Sequence, residues 1–199
     1  MQTTSAHEGL SDDASALDAK IKNAVTLEHD YVNVPYLASD DPEQWKRWAY
    51  QINSEAARFQ REGVDYGYHN HAHEFVELAN GQHPWDIFMA ELDPVNVHLE
   101  VDLYWVYTGA IQGGDGVDDP QQFVIDTIND APLKVRQYQV KDRDEEIADT
   151  ADLGAGVIDF APIFANHQVE EYIVENDTPD ATLRRTARVG YEYLRALRF

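Results

Sequence analysis

Tyr66-Gly67-Tyr68-His69-Asn70-His71-Ala72-His73-Glu74-Phe75 is the stretch whose reading decides the fold. Val64 to His71 alternates like a β-strand. From His69 to Glu74, three histidines, an amide and a carboxylate crowd into six residues. Neutral imidazole and carboxylate are the usual ligands of divalent Zn, Mn or Fe. A lone histidine is most often a solvated or satisfied side chain. This density, directly after a strand, points instead to chemistry delivered at a strand end.

Working outward, the chain alternates strand and helix patterns. After the short segment Thr3 to Gly9, Ser11-Asp12-Asp13 can cap a helix with the apolar stripe Ala14, Leu17, Ile21, Ala24 and Val25. Tyr31 to Pro35 reads as a strand. Asp41-Pro42 with Gln44 resembles a capping box, opening a helix whose apolar face is Trp45, Trp48, Ala49, Ile52, Ala56 and Phe59, stopped by Gly63. Beyond the histidine cluster, Pro84 to Leu92 reads as a short helix and Asn96 to Trp105 as a strand with His98, Glu100 and Asp102 on one face. Tyr107 to Asp119 is Gly- and Asp-rich and reads as a loop. A helix from Asp119-Pro120, a strand Val135 to Asp142, an acidic loop Arg143 to Asp152 and a helix Asp159 to Asn166 follow. The strand Glu171 to Asn176 and a helix opening at Thr178-Pro179, with Leu183, Ala187, Gly190, Leu194 and Leu197 inward, complete the chain. Strict alternation argues for a parallel sheet with helical crossovers, in the α/β class. The potentially ligating groups fall where strands meet their following loops, as in a β/α barrel or an open doubly wound sheet. No strand is followed by a glycine-rich nucleotide-binding loop.

Composition sets bounds on partners. A chain of 199 residues with 43% apolar content fits one domain, residues 1–199. With no cysteine, neither a disulfide framework nor a thiolate site is available. No apolar run is long enough to cross a membrane, and Met1-Gln2-Thr3-Thr4 lacks a signal-peptide pattern, so a cytoplasmic location is expected. A formal charge of −22 repels nucleic acid and anionic membrane. Spread along the chain, with Asp exceeding Glu and Lys scarcer than Arg, it suits a halophilic protein kept hydrated in concentrated salt. A homo-oligomer is compatible with the sequence.

Glu74, Asp102 and Glu175 recur at successive strand ends, with Gln139 between the last two. In a barrel such positions converge on the axis and suit a divalent ion with open positions for substrate.

These residues carry a family resemblance. Tyr68-His69-Asn70-His71-x-x-Glu74-Phe75, Val101-Asp102-Leu103-Tyr104-Trp105, Val140-Lys141-Asp142, Leu153-Gly154-x-Gly156-x-Ile158-Asp159-Phe160 and Tyr172 to Asp177 resemble the xylose isomerase-like TIM-barrel superfamily, in its sugar phosphate isomerase/epimerase branch. The resemblance covers nearly the whole chain and is more specific for fold than for substrate. Sugar epimerases, inosose and dehydroshikimate dehydratases and apurinic endonucleases share the fold. It implies a divalent metal on Glu74, Asp102, Gln139 and Glu175. Members usually carry histidine where Gln139 stands. An amide oxygen is a weaker, harder ligand, which favours Mn or Mg and leaves Zn or Co as alternatives. Members also begin with two further β/α units. The expectation is therefore a (β/α) TIM-barrel type incomplete at its N-terminus, about six of eight units, from a truncated start, with exposed apolar surface near the first and last helices.

The chemistry expected is a sugar isomerase/epimerase acting on a sugar, sugar phosphate or keto-sugar, removing a proton beside a carbonyl through an enediolate. Glu74 and Glu175 are the candidate acid/base pair that also ligates the metal. His69, His71 and Lys141 are candidates for substrate hydroxyls and oxyanion charge, and Tyr104 and Trp105 for an apolar wall. His73 is expected to be a bystander. Two alternatives stand beside this: a metal-dependent dehydratase or lyase of a keto-cyclitol or 3-keto-glycoside, and an inactive fragment of such an enzyme. Endonuclease activity fits worst, because the charge has the wrong sign for DNA.

Overall fold

The computed structural model describes residues 3–113, 117–179 and 182–199. Six parallel strands form one sheet: β1 (Ser5–His7), β2 (Tyr31–Val34), β3 (Asp65–His69), β4 (Val97–Asp102), β5 (Lys134–Val140) and, after a small hairpin, β8 (Glu171–Val174), in the order β1-β2-β3-β4-β5-β8. The helices between them are α1 (Ala14–Thr26), α2 (Pro42–Phe59), α3 (Pro84–Glu91), α4 (Leu103–Gln112), α5 (Pro120–Asp130), α6 (Phe160–Asn166) and α7 (Leu183–Ala196). The hairpin strands β6 (Asp142–Arg143) and β7 (Thr150–Ala151) lie outside the main sheet. This is six β/α units of a TIM-barrel-type fold, the α/β architecture expected from the alternation.

Period two sorts the strands into two faces. Tyr66, Tyr68, Tyr138 and Val140 are buried toward the helices, where Tyr66 stacks on Phe59 and Tyr68 meets Phe88 edge-on. The opposite face is polar and equally buried: Asn33, His98, Glu100, Asp102, Gln137 and Gln139. Buried polar groups need partners, and here they find them across the sheet. Asn33 of β2 donates to Glu100 of β4 and to Gln137 of β5, and His7 of β1 reaches Glu100 at 2.7 Å. Contacts between strands that are not neighbours require the sheet to curl around this polar face. Gly67 makes room for it, since a Cβ there would collide with Asn33 and the His98 ring.

Most caps follow the sequence reading. Asp13, Asp41, Asp119 and Asp159 each accept a hydrogen bond from a backbone N–H in the first turn of α1, α2, α5 and α6. Gly63 ends the turn after α2 in the left-handed region, φ 78°. The capping box does not form, because Gln44 accepts from Arg47 instead.

Several boundaries differ from the sequence reading. The strand over Asn96 to Trp105 stops at Asp102, whose carboxylate accepts from Trp105 N and starts α4. The aromatic residues that suggested continued strand are thus helical, and α4 takes up half of the expected Tyr107 to Asp119 loop; residues 114–116 of that loop lie outside the described residues. The strand in the opening stretch ends at His69, and a 3₁₀ turn over His73–Phe75 follows. Thr3 to Gly9 contains the edge strand β1. Inside the acidic loop, the β6–β7 ladder pairs Asp142 with Ala151. Asp142 then accepts from the backbone N–H groups of Gly154, Gly156 and Ile158, which explains the glycines of that motif. Helix α7 opens at Thr182 rather than at Thr178-Pro179 and buries Thr186 and Gly190, leaving Leu183 and Ala187 exposed. Val25 is exposed rather than part of the α1 stripe. Large exposed apolar side chains do flank the first and last helices: Val25 and Leu27 on one side, Leu183, Tyr191 and Phe199 on the other. Among the described residues no helix is long and apolar enough to cross a membrane.

Candidate active site

The strand ends that follow the polar face open into a cleft of about 200 Å³ lined by His7, Pro35, Tyr36, His69, His71, Trp105, Gln139, Lys141, Glu175 and Asp177. Parallel strands deliver these groups to one side of the sheet because each strand's last inward residue is followed at once by its loop.

Three of the four expected metal ligands meet at this cleft. The Gln139 side-chain amide lies 2.7 Å from Glu175 Oε2 and 2.9 Å from Asp102 Oδ2. The register explains it: Asp102 pairs with Gln139 across β4 and β5, Gln139 pairs with Ile173 across β5 and β8, and Glu175 follows two residues later on the same face. Lys141, two residues beyond Gln139, places Nζ 3.2 Å from Asp102 Oδ2, 2.8 Å from Glu175 Oε2 and 2.9 Å from Asp177 Oδ2. Burial pulls the Lys141 pKa down, but Asp102 and Glu175 outweigh it and hold the ammonium charged. Burial of Asp102 raises its carboxyl to about 6, against the opposing pull of Lys141 and His69.

Glu74 does not join them. It is 0% exposed, its Oε1 accepts from Tyr68 Oη at 2.5 Å and its Oε2 from His71 N at 2.9 Å, and it does not line the cleft. The reason is the turn after His69. Tyr68 belongs to the helix-facing side of β3, and the 3₁₀ turn carries Glu74 back to that side. Burial raises the Glu74 pKa against the opposing pull of His73 and Tyr68. Glu74 therefore braces the loop behind His71, and the structure does not bring it together with Asp102, Gln139 and Glu175.

The expected substrate-facing residues divide. His71 lines the cleft between Tyr36 and Trp105, with ring centroids 5.1 and 5.3 Å away. Burial, with His69, His73 and Lys141 nearby, lowers its pKa to about 3, so it is a neutral imidazole. Trp105 also lines the cleft, and Lys141 Nζ lies 5.3 Å from its ring centroid. Tyr104 is buried in α4 and backs the Lys141 ammonium at 5.7 Å instead of walling the cleft. His69 lines the cleft but is directed at Glu100, 3.3 Å from Nδ1 to Oε1. His73 bonds the Leu37 carbonyl, a structural role.

Sequence reading missed His7, Glu100 and Asp177. Glu100 was visible as part of the polar alternation on β4, and Asp177 as part of the Glu175-Asn176-Asp177 turn. His7, Glu100 and His69 bring one ligand atom each within 4.8 Å of one another. Burial would raise Glu100, but the His69 and His7 imidazoles beside it hold it at about 2. For His7, burial is outweighed by Glu100 and the pKa is raised.

Residues 4–192 match the family model described as xylose isomerase-like TIM barrel. No curated protein matches the sequence. Among solved structures, a sugar phosphate isomerase/epimerase from Parabacteroides distasonis superposes with TM-score 0.76 at 21% identity, covering 98% of this chain and 73% of that one. The 3-keto-D-glucoside 4-epimerase from E. coli gives TM-score 0.66 at 14% identity, covering 98% of this chain and 80% of that one. The IOLI protein, solved with a zinc atom, gives TM-score 0.66 at 14% identity, covering 96% and 73%. At these identities the likeness is one of fold.

Proposed function

Because the chain belongs to the xylose isomerase-like TIM barrel family, we propose that it is a divalent-metal-dependent isomerase or epimerase acting on a sugar or keto-sugar. The observation that carries this is the Gln139 amide standing 2.7 Å from Glu175 and 2.9 Å from Asp102, beside Lys141, in a histidine-lined cleft. The donor set fits a hard divalent ion. A carbonyl oxygen and two carboxylate oxygens facing one another repel, unless a cation lies among them or the amide turns to donate. Asp102, Gln139 and Glu175 would hold the ion. When bound, it supplies Lewis-acid charge beside the substrate carbonyl and makes the adjacent C–H bond more acidic.

The protein's own groups then do the proton work. Glu175, with its side chain 37% exposed, is a carboxylate open to substrate beside the amide of Gln139. It takes the proton from the carbon next to the carbonyl, the C–H electron pair becomes a carbon–carbon double bond, and the carbonyl oxygen gains charge. Lys141 donates an N–H to that oxygen, as its position between three carboxylates pre-orients it. Neutral His71 can both donate to and accept from substrate hydroxyls, and Trp105 offers an apolar face. Return of the proton to the former carbonyl carbon, with the neighbouring hydroxyl proton passing to the first oxygen as the second becomes the carbonyl, gives the isomer; return to the opposite face of the same carbon gives the epimer. Asp177 and His71 are cleft groups placed to deliver it.

The test is to incubate the protein with Mn²⁺ and a panel of ketoses, ketose phosphates and 3-keto-glycosides, separating products by chromatography and mass. An isomeric product of unchanged mass supports the proposal. Loss of 18 mass units (about one water) identifies a dehydratase instead, and no turnover across the panel with any divalent ion overturns it.

A further inference from the structure

We propose that His7, His69 and Glu100 form a second metal site, deeper in the same cleft, that takes a borderline transition ion such as Zn²⁺ or Co²⁺. The site is distinct in donors from the oxygen cluster of Asp102, Gln139 and Glu175, and it does not depend on the sugar chemistry proposed above.

Three observations carry it. First, the geometry is nearly assembled. Ligands of a tetrahedral Zn²⁺ at its usual bond lengths stand about 3.3 Å apart. His69 Nδ1 is 3.3 Å from Glu100 Oε1, His7 Nε2 is 2.7 Å from the same oxygen, and all three ligand atoms lie within 4.8 Å. His7, on a three-residue edge strand and with its side chain 34% exposed, is the ligand free to adjust.

Second, His69 Nδ1 is a buried polar atom without a hydrogen-bond partner, in a residue 3% exposed. Leaving such an atom unpaired costs about 1–3 kcal/mol. Its separation from Glu100 is short, yet no hydrogen bond forms along it. An ion accepting the Nδ1 lone pair removes that cost.

Third, the carboxylate is already oriented from behind. Asn33 Nδ2 donates to Glu100 Oε2, and Asn33 is itself fully buried, which leaves Oε1 turned toward the two imidazoles. Metal-binding carboxylates characteristically carry this kind of outer partner. Two imidazoles and one carboxylate select Zn²⁺ or Co²⁺ over Mg²⁺ and Mn²⁺, whereas the neighbouring oxygen cluster has the reverse preference. Both His7 and His69 line the cleft, so the fourth position of the ion faces the space where a ligand enters.

The experiment is Co²⁺ titration of the metal-stripped full chain, read by visible absorption, with Zn²⁺ competition and equilibrium dialysis giving affinity and stoichiometry. The expected result is d–d absorption from a nitrogen-ligated ion, displaced by Zn²⁺ and not by Mg²⁺. His7→Ala, at the most exposed of the three ligands, should weaken Zn²⁺ by at least about 10-fold, the loss that even outer partners of a metal cause. Glu175→Gln should leave the band in place. Circular dichroism and the milder His7→Asn variant separate lost ligation from lost fold. No Co²⁺ absorption, or a band that survives His7→Ala and His69→Ala but disappears with Glu175→Gln, overturns the site. Mn²⁺-supported sugar turnover is measured on the same variants. Its loss in Glu175→Gln alone concerns the oxygen cluster and leaves this inference standing.

Discussion

Lys141 Nζ lies 2.8 Å from Glu175 Oε2 while only 2% of the lysine side chain is exposed. The ammonium is buried, and it also meets Asp102 at 3.2 Å and Asp177 at 2.9 Å. A buried charge is tolerated when it is paired, and removing one member strands the others. Lys141 is thus an internal counter-ion for carboxylates that would otherwise face one another. Lys141→Met should cost about 3–5 kcal/mol in the metal-free protein. Adding Mn²⁺ should recover a larger part of the midpoint in the variant than in the parent. Thermal or urea unfolding with and without the ion checks this, and equal shifts in both proteins would contradict it.

Glu74 and Glu175 are the two carboxylates that sequence reasoning paired, and the fold separates them. With both oxygens engaged by Tyr68 and His71, Glu74→Gln should lower stability and leave divalent affinity unchanged. Glu175→Gln should reduce Mn²⁺ affinity by at least about 10-fold. Calorimetric titration of Mn²⁺ into both variants separates the roles.

Gln139 is the softest point of the oxygen cluster to redesign. Replacing its amide with imidazole changes the donor from hard to borderline. Gln139→His should shift preference from Mn²⁺ toward Zn²⁺, measured as the ratio of the two dissociation constants. An unchanged ratio would mean that the side chain does not touch the ion.

Acid should weaken the fold through His71. His71 is held at about 3 by burial and by neighbouring His69, His73 and Lys141, against an ordinary value of 6.5. Above 6.5 both folded and unfolded chains keep it neutral. As pH falls from 6.5 toward 3, the unfolded chain takes up a proton that the fold resists, so stability falls. His98, lowered by burial, acts in the same direction. Asp102, raised to about 6, and His7, also raised, act in the opposite direction in parent and variant alike. The His71 share is therefore read by difference: between pH 7 and pH 5 the urea midpoint of His71→Asn should fall less, or rise more, than that of the parent.

The strand–helix alternation, the polar face of β4 and the convergence of Asp102, Gln139 and Glu175 were legible because period two and strand order fix which groups share a side. Other features depend on the path the chain takes once a strand has ended. Glu74 stands apart from the other three because a turn after His69 decides which side it joins, and that turn has no periodic signature. Tyr104 and Trp105 were read as strand because aromatic residues favour sheets. Asp102 caps α4 and overrides that preference. His7 was missed because a three-residue edge strand is too short to show a period. Its significance comes only from Glu100, 93 positions away in sequence.

The central claim is that Glu175 moves a substrate proton in a metal-dependent cleft, and deuterium wash-in tests it most directly. A ketose converted by the protein is incubated in D₂O with Mn²⁺, and label at the carbon beside the carbonyl is followed by NMR. The account predicts incorporation that requires the ion, falls by at least about 100-fold in Glu175→Gln and persists in Glu74→Gln. Incorporation that survives Glu175→Gln, or that is lost only in Glu74→Gln at unchanged stability, would contradict it.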